Sequence, residues 1–254
     1  MIGSAPPAID EELRRDAATR LAAVRARIES AARRAGRDPA TVTLVGVAKR
    51  QSLERIVATV GAGLHVLGEN FVQEARAMRP RLEAALAEEG RSTPPLHWRM
   101  VGRLQRNKLA LAVALFDAIE SVDRLELVAP LATQAAKAGR VLEVLVQVHL
   151  GDEPQKGGCP FDGVPALARA IAAEPALRLG GLMAVPPTAE DPESVRPWFR
   201  QLREARDAWA AELPALTGSA LSMGMSNDFE VAIEEGATLV RVGTALFGPR
   251  TSAP

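Results

Sequence analysis

Cysteine occurs once in the 254 residues, so no internal disulfide can form, and Cys159 reads as an inert packed thiol. No cluster of Cys and His has the spacing of a zinc site, and no metal is expected. Net charge is lacking too. The 31 Lys and Arg cancel the 31 Asp and Glu, which removes the global field that draws a protein onto nucleic acid or an anionic membrane. Any anion must therefore be held by a local site. No uncharged apolar run approaches the roughly 20 residues that a transmembrane helix needs. The first residues lack a basic stretch followed by an apolar one, and Asp10, Glu11 and Glu12 are wrong for a signal or transit peptide. A cytoplasmic protein without nucleic-acid or membrane partners is the expectation.

What is present is the balance of an ordinary globular chain, 47% hydrophobic and 24% charged, at a length that suits one barrel of eight strands and eight helices. Leu13, Ala17, Leu21, Val24, Ile28 and Ala31 recur at steps of three and four, with acids in the first turn and Gly36 beyond the last. That pattern predicts an amphipathic helix ahead of the repeating part. From Val42 onward short apolar runs alternate with helical text, as in parallel βαβ units. The runs are Val42 to Ala48, His65 to Leu67, His97 to Val101, Phe116 to Ser121, Val141 to Val148, Leu179 to Val185, Ala220 to Ser222 and Thr238 to Val242. Helices are predicted over Val164 to Ala173, Val195 to Leu213 and Ser226 to Glu235.

Eight units close a barrel, so the expected fold is α/β, a single (β/α)8 barrel spanning 41–254 with an N-terminal extension and helix, 1–40, packed on it. An open doubly wound sheet competes, but it needs a glycine-rich turn after the first strand, where this chain has Lys49, Arg50 and Gln51. Pro94-Pro95 and Pro186-Pro187 fit loops between elements.

In such barrels the working residues sit at the carboxyl ends of strands, and phosphate is commonly held after strands seven and eight. Those loops read Ser222-Met223-Gly224-Met225-Ser226-Asn227 and Arg241-Val242-Gly243-Thr244, each combining glycine with a hydroxyl. Unobstructed backbone N–H groups and an O–H donor suit a phosphate. On either loop alone, Ser226 as a helix N-cap and the glycines as turn residues explain the pattern equally well. Asp228 and Glu230 oppose an anion unless they point away.

Lys49 ends a strand of small and apolar residues, so its stem rises toward the mouth. It is either a solvated strand-end lysine or a nucleophile able to form an imine with a carbonyl. Closure puts strand eight beside strand one, which makes Arg241 a candidate neighbouring cation. Asn70, with Gln73 three residues on, fits a capping box. His97 opens the third run, and Gly102 to Lys108 end it in a polar cluster. His65 and His149 read as packed.

These residues resemble the family of pyridoxal phosphate homeostasis proteins, whose fold is similar to the N-terminal barrel domain of alanine racemase. The resemblance rests on Val45-Gly46-Val47-Ala48-Lys49, on Gly68 to Glu74, on His97 to Lys108, on Gly181-Leu182-Met183-Ala184-Val185-Pro186, on Leu221 to Ser226 and on Val240 to Gly248. It implies that Lys49 carries pyridoxal 5'-phosphate as a Schiff base, that Ser226, Gly243 and Thr244 belong to a phosphate cup, and that Arg241 faces the pyridine nitrogen. It further implies that Asn70 and Met223 line the pocket, with His97, Gln105, Asn107 and Lys108 at its rim. The chain departs from the family pattern at Ser52, Gly157 and Asn227, where proline, serine and aspartate are common. Gly157 follows Lys156 in a loop.

Two uses of such a site differ in kind. A guanidinium only donates hydrogen bonds, so a ring nitrogen facing Arg241 must accept and stay unprotonated, which makes a weak electron sink. The racemases resembled here also need a tyrosine from a second domain, and this sequence contains no tyrosine. The reading is a carrier that buffers pyridoxal phosphate and delivers it to apo forms of dependent enzymes, most simply as a monomer. The rivals are a pyridoxal phosphate enzyme acting on amino acids, with His97 or Lys108 moving the proton, and an aldolase using Lys49 on a phosphorylated sugar.

Overall fold

The computed structural model describes residues 9–89, 95–151 and 157–249. Eight parallel strands close into a barrel in sequence order. They are β1 (Thr43–Val47), β2 (Val66–Glu69), β3 (His97–Met100), β4 (Ala118–Val122), β5 (Leu142–Val148), β6 (Leu177–Ala184), β7 (Ala220–Ser222) and β8 (Leu239–Val242). Each apolar run predicted from the sequence is a strand, with ends displaced by about two residues or fewer. β8 closes the ring on β1, pairing Val45 with Arg241 and Gly46 with Val242.

The helices are α1 (Glu11–Arg34), α2 (Leu53–Gly61), α3 (Val72–Glu88), α4 (Leu109–Leu115), α5 (Val128–Lys137), α6 (Val164–Ala172), α7 (Arg196–Ala210), α8 (Phe229–Glu234) and α9 (Thr244–Phe247). In α1 the Asp10 carboxylate caps the first turn by accepting the Leu13 N–H at 2.7 Å, and acids at the start and Arg33 and Arg34 at the end complement the helix dipole. Its apolar stripe, from Ala17 to Ala32, is buried against α2, α8 and α9. Arg27 pairs with Glu230 and Arg34 with Glu234, each at 2.7 Å. Because α9 is a single turn, α1 fills the place on the outer ring that a full helix after β8 would take.

The sequence pattern placed the last helix too early. Ser226 and Asn227 lie in a turn, and α8 starts at Phe229. Asp228 accepts the Met225 N–H at 2.6 Å, and Gly224 holds φ at +89°, so the chain makes an extra turn before it can become helical. Asn70 likewise caps nothing: Phe71 is the N-cap of α3, without a side-chain cap bond.

Strand parity decides what faces the interior. Gly46 faces the helices, where an added Cβ would meet Leu64 at 2.5 Å and Leu246 at 3.0 Å. Val45, Val47 and, by the same parity, Lys49 therefore face inward. Barrels of this kind are usually filled by branched apolar side chains, but here a polar ladder descends the axis. Arg241 Nη1 donates to Ser222 Oγ at 2.7 Å, and Ser222 Oγ donates to Glu120 Oε2. Glu120 Oε1 binds Arg99 Nε, Arg99 Nη2 reaches Glu143 at 2.8 Å, and Glu143 binds Arg178. Among the described residues no helix is long and apolar enough to cross a membrane.

Candidate ligand site at the barrel mouth

A cavity of about 340 Å³, within the range of small-molecule sites, opens at the carboxyl ends of the strands. Lys49, Asn70, Ser226, Arg241, Gly243 and Thr244 all line it, so six of the residues singled out in the sequence converge. The loops after β7 and β8 meet directly: the Gly243 N–H donates to Ser226 Oγ at 3.3 Å. That bond is long, and rotation of the Ser226 side chain would free the Gly243 N–H for an incoming anion. Glu230 points away and binds Arg27 of α1, while Asp228 lines the cavity with one carboxylate oxygen on the Met225 N–H.

Lys49 is half-buried, with Nζ over the Phe71 ring, 5.1 Å from its centroid. The next residue, Arg50, has φ +55° and is the one non-glycine residue in the left-handed region among those described. That conformation is unfavourable for a side chain bearing a Cβ and tends to persist where surrounding structure enforces it. Arg241 shares the cavity with Lys49 but enters it from below. Its register partner is Val45, inside β1, whereas Lys49 stands in the turn beyond the end of that strand. The guanidinium is anchored on Ser222 and, at 2.8 Å, on the Ala184 carbonyl. Burial pulls its proton affinity below the ordinary arginine value, and Glu120 and Asp228 oppose that pull.

Beside this cavity, across Asn70, lies a second one of about 320 Å³ lined by Phe71, Gln73, Arg103, Gln105 and Lys108. Gln105 and Lys108 thus stand at the rim as expected. Asn107 is exposed and lines neither cavity. Two further expectations fail. His97 begins β3, so it sits at the amino ends of the strands with Thr43, Arg99 and Glu143 around a different cavity of about 460 Å³. It cannot serve Lys49 from the opposite end of the barrel. Met223 is fully buried and packs in the core, and Met225 lines the mouth in its place. His65 precedes β2 near the amino ends, and His149 Nδ1 lies 3.1 Å from the Gly157 carbonyl. Lys156 and Pro94 lie outside the described residues.

Sequence reasoning passed over Gln51, the loop after β6 and Glu69. Gln51 is buried on the cavity wall, its amide nitrogen 3.4 Å from the Gly248 carbonyl and its Oε1 without a partner. Its position in the turn after Lys49 was the available signal. Pro187 and Thr188 also line the mouth. Glu69, at the end of β2, is buried with Oε2 unpartnered. Burial and the nearby Glu74 push its carboxyl up to about 8, against the Asn70 N–H and Lys49, which lower it.

The family model of the alanine racemase N-terminal domain matches residues 19–251, which include every strand of the barrel and every residue at its mouth. A pyridoxal phosphate homeostasis protein of Aquifex aeolicus (strain VF5) is 41% identical over 92% of this chain and 99% of its own length. Among solved structures, PipY of Synechococcus elongatus PCC7942 with PLP bound superposes with a TM-score of 0.78 at 33% identity, over 91% of this chain and 100% of that one. A protein of Bifidobacterium adolescentis described as unknown reaches 0.85 at 33% identity, over 94% and 97%. The chain belongs to the pyridoxal phosphate homeostasis protein family.

Proposed function

We propose that this protein binds pyridoxal 5'-phosphate at the barrel mouth, attached reversibly through Lys49, and serves intracellular cofactor homeostasis by buffering and delivering it. The observation that carries the reading is the convergence of Lys49, Arg241, Ser226, Gly243 and Thr244 on one cavity of about 340 Å³. The cofactor brings an aldehyde, which condenses reversibly with a primary amine, and Lys49 is the amine among those residues. Ser226, Thr244 and the Gly243 N–H offer donors to a phosphate. The buried, unpartnered Oε1 of Gln51 marks polar capacity in the same wall that the protein itself leaves unused. Arg241 offers only N–H groups, so it suits an acceptor nitrogen at the cavity floor. The homologues named for this role and the cofactor-bound PipY structure support the assignment.

Delivery, rather than turnover of an amino acid, is favoured by the equipment around Lys49. His97 lies at the far end of the barrel, and the sequence supplies no tyrosine. Apo forms of pyridoxal phosphate enzymes are the proposed recipients, met in the cytoplasm by a monomer.

The test is borohydride reduction after incubation with the cofactor, followed by peptide mapping. A reduced adduct on Lys49, absent in Lys49→Ala, is expected. A colourless protein with unmodified Lys49 would overturn the reading. Fast α-proton exchange of an amino acid that depends on Lys49 would replace the carrier with an enzyme.

A further inference from the structure

We infer that Ser222 and Glu120 are positioning residues which lock the Arg241 guanidinium in one orientation, and that this lock keeps the ring nitrogen of the bound ligand an unprotonated acceptor. The inference rests on the proposed binding of pyridoxal phosphate at this mouth.

The hydrogen-bond direction is forced. An arginine has only donors and an ionised carboxylate only acceptors, so a hydroxyl between them must accept from one and donate to the other. Ser222 Oγ does both, taking the Nη1 hydrogen at 2.7 Å and giving its own to Glu120 Oε2. The other Glu120 oxygen is engaged by Arg99 Nε, and the Glu120 side chain is fully buried. Neither the hydroxyl nor the carboxylate can turn away without leaving a buried polar atom unpaired. The Nη2 bond to the Ala184 carbonyl, 2.8 Å long, supplies a second anchor, so two points fix the plane of the fork.

The charged groups around Arg241 come from several elements. Glu120 approaches from β4 and Asp228 from the turn after β7. Lys49 shares the cavity from the end of β1, and Arg99 of β3 stands behind Glu120. Glu120 is therefore shared between two cations. Cutting the Ser222 link leaves Arg241 held by the Ala184 carbonyl alone and keeps the Arg99–Glu120 pair intact. Freed from Ser222, the guanidinium can swing and water can reach the floor, and either change lets the ring nitrogen take a proton.

The experiment uses pyridoxal phosphate labelled with ¹⁵N in the ring, bound to wild type, Ser222→Ala, Ser222→Thr and Glu120→Gln. The nitrogen resonance is followed across roughly pH 6 to 9, with borohydride mapping to Lys49 and thermal melting on the same samples. In wild type and in Ser222→Thr, which restores the hydroxyl, the resonance stays that of an unprotonated pyridine throughout. In Ser222→Ala it titrates inside the window, with at least about a tenfold rise in protonated fraction at pH 7. Glu120→Gln moves the same way and keeps the test alive if Ser222→Ala does not fold. A merely structural hydroxyl would lower the melting temperature and leave the resonance unmoved. A wild-type pattern in Ser222→Ala carrying the label on Lys49, or a protonated nitrogen in wild type, overturns the inference. Absence of the Lys49 adduct in wild type would instead overturn the function on which it rests.

Discussion

The amine of Lys49 lies over the face of the Phe71 ring, 5.1 Å from its centroid, although Phe71 itself is nearly half exposed. An aromatic side chain left in solvent at the start of α3 has little packing reason to stay there, and the contact with Lys49 supplies one. A cation over an exposed ring is stabilised by about 0.5 to 1 kcal/mol.

Phe71→Ala should therefore loosen Lys49 and open the neighbouring cavity. Because the contact stabilises the free ammonium, which Schiff-base formation gives up, capture of pyridoxal phosphate should quicken by about two- to fivefold, the kinetic equivalent of that energy. Stopped-flow loss of the free ligand's absorbance measures it, and an unchanged rate would show that the ring does not guard the amine.

Glu69 makes the stability of the protein depend on pH. Its carboxyl is raised from an ordinary value of 4.5 to about 8 by burial, so the folded state holds a proton that the unfolded state has already lost between those values. Stability therefore falls as pH rises from about 4.5 and levels off above about 8. Glu69→Gln removes the titration and should flatten that slope, gaining on the order of 4 kcal/mol relative to wild type at pH 8.5 against pH 5. Urea unfolding at the two pH values tests it, and parallel profiles for the two proteins would contradict it.

Gly102, two residues beyond β3, lets the chain pass close to the backbone of Asn70. An added Cβ would stand 2.2 Å from the Asn70 carbonyl oxygen and 2.6 Å from its Cα, both backbone atoms that cannot turn aside. Gly102→Ala should cost about 1 to 3 kcal/mol and displace the residue that lines both cavities. A melting temperature lowered together with weaker pyridoxal phosphate binding is the expected pair. A stable variant with intact binding would mean that Asn70 has room to move.

Cys159 should be a quiet thiol. Burial pushes it up, with Asp123 and Asp162 acting in the same direction, and the thiolate is the reactive form. Native protein should react with a disulfide reagent at least about 100 times more slowly than unfolded protein. Rapid native labelling would reveal an opening of the segment around it.

The barrel was legible because each strand is a short apolar run with period-two parity, and Lys49 because a cation ending such a run is conspicuous. Ser226, Gly243 and Thr244 followed from where barrels place phosphate. His97 was misplaced for a reason of direction. It belongs to the same run as Gly102 to Lys108, but a strand carries its first residue to the opposite end of the barrel from its last. Met223 and Met225 share strand parity, and it is the positive φ of Gly224 between them that leaves one in the core and turns the other to the mouth. The axial ladder was invisible because Arg99, Glu120, Glu143 and Arg178 stand on four different strands, and nothing local in the text pairs residues 21 or 44 positions apart.

The outer ring is completed by a helix taken from the front of the sequence. Arg27 and Glu230, which pin it there, are 203 residues apart. During synthesis α1 is made long before α8 and α9 exist, so only α2 is at hand to cover part of its leucine and valine face until most of the chain has left the ribosome. Closure is thus a late and non-local event. A fragment that stops before the last two strands leaves the part of that face meant for α8 and α9 open to water.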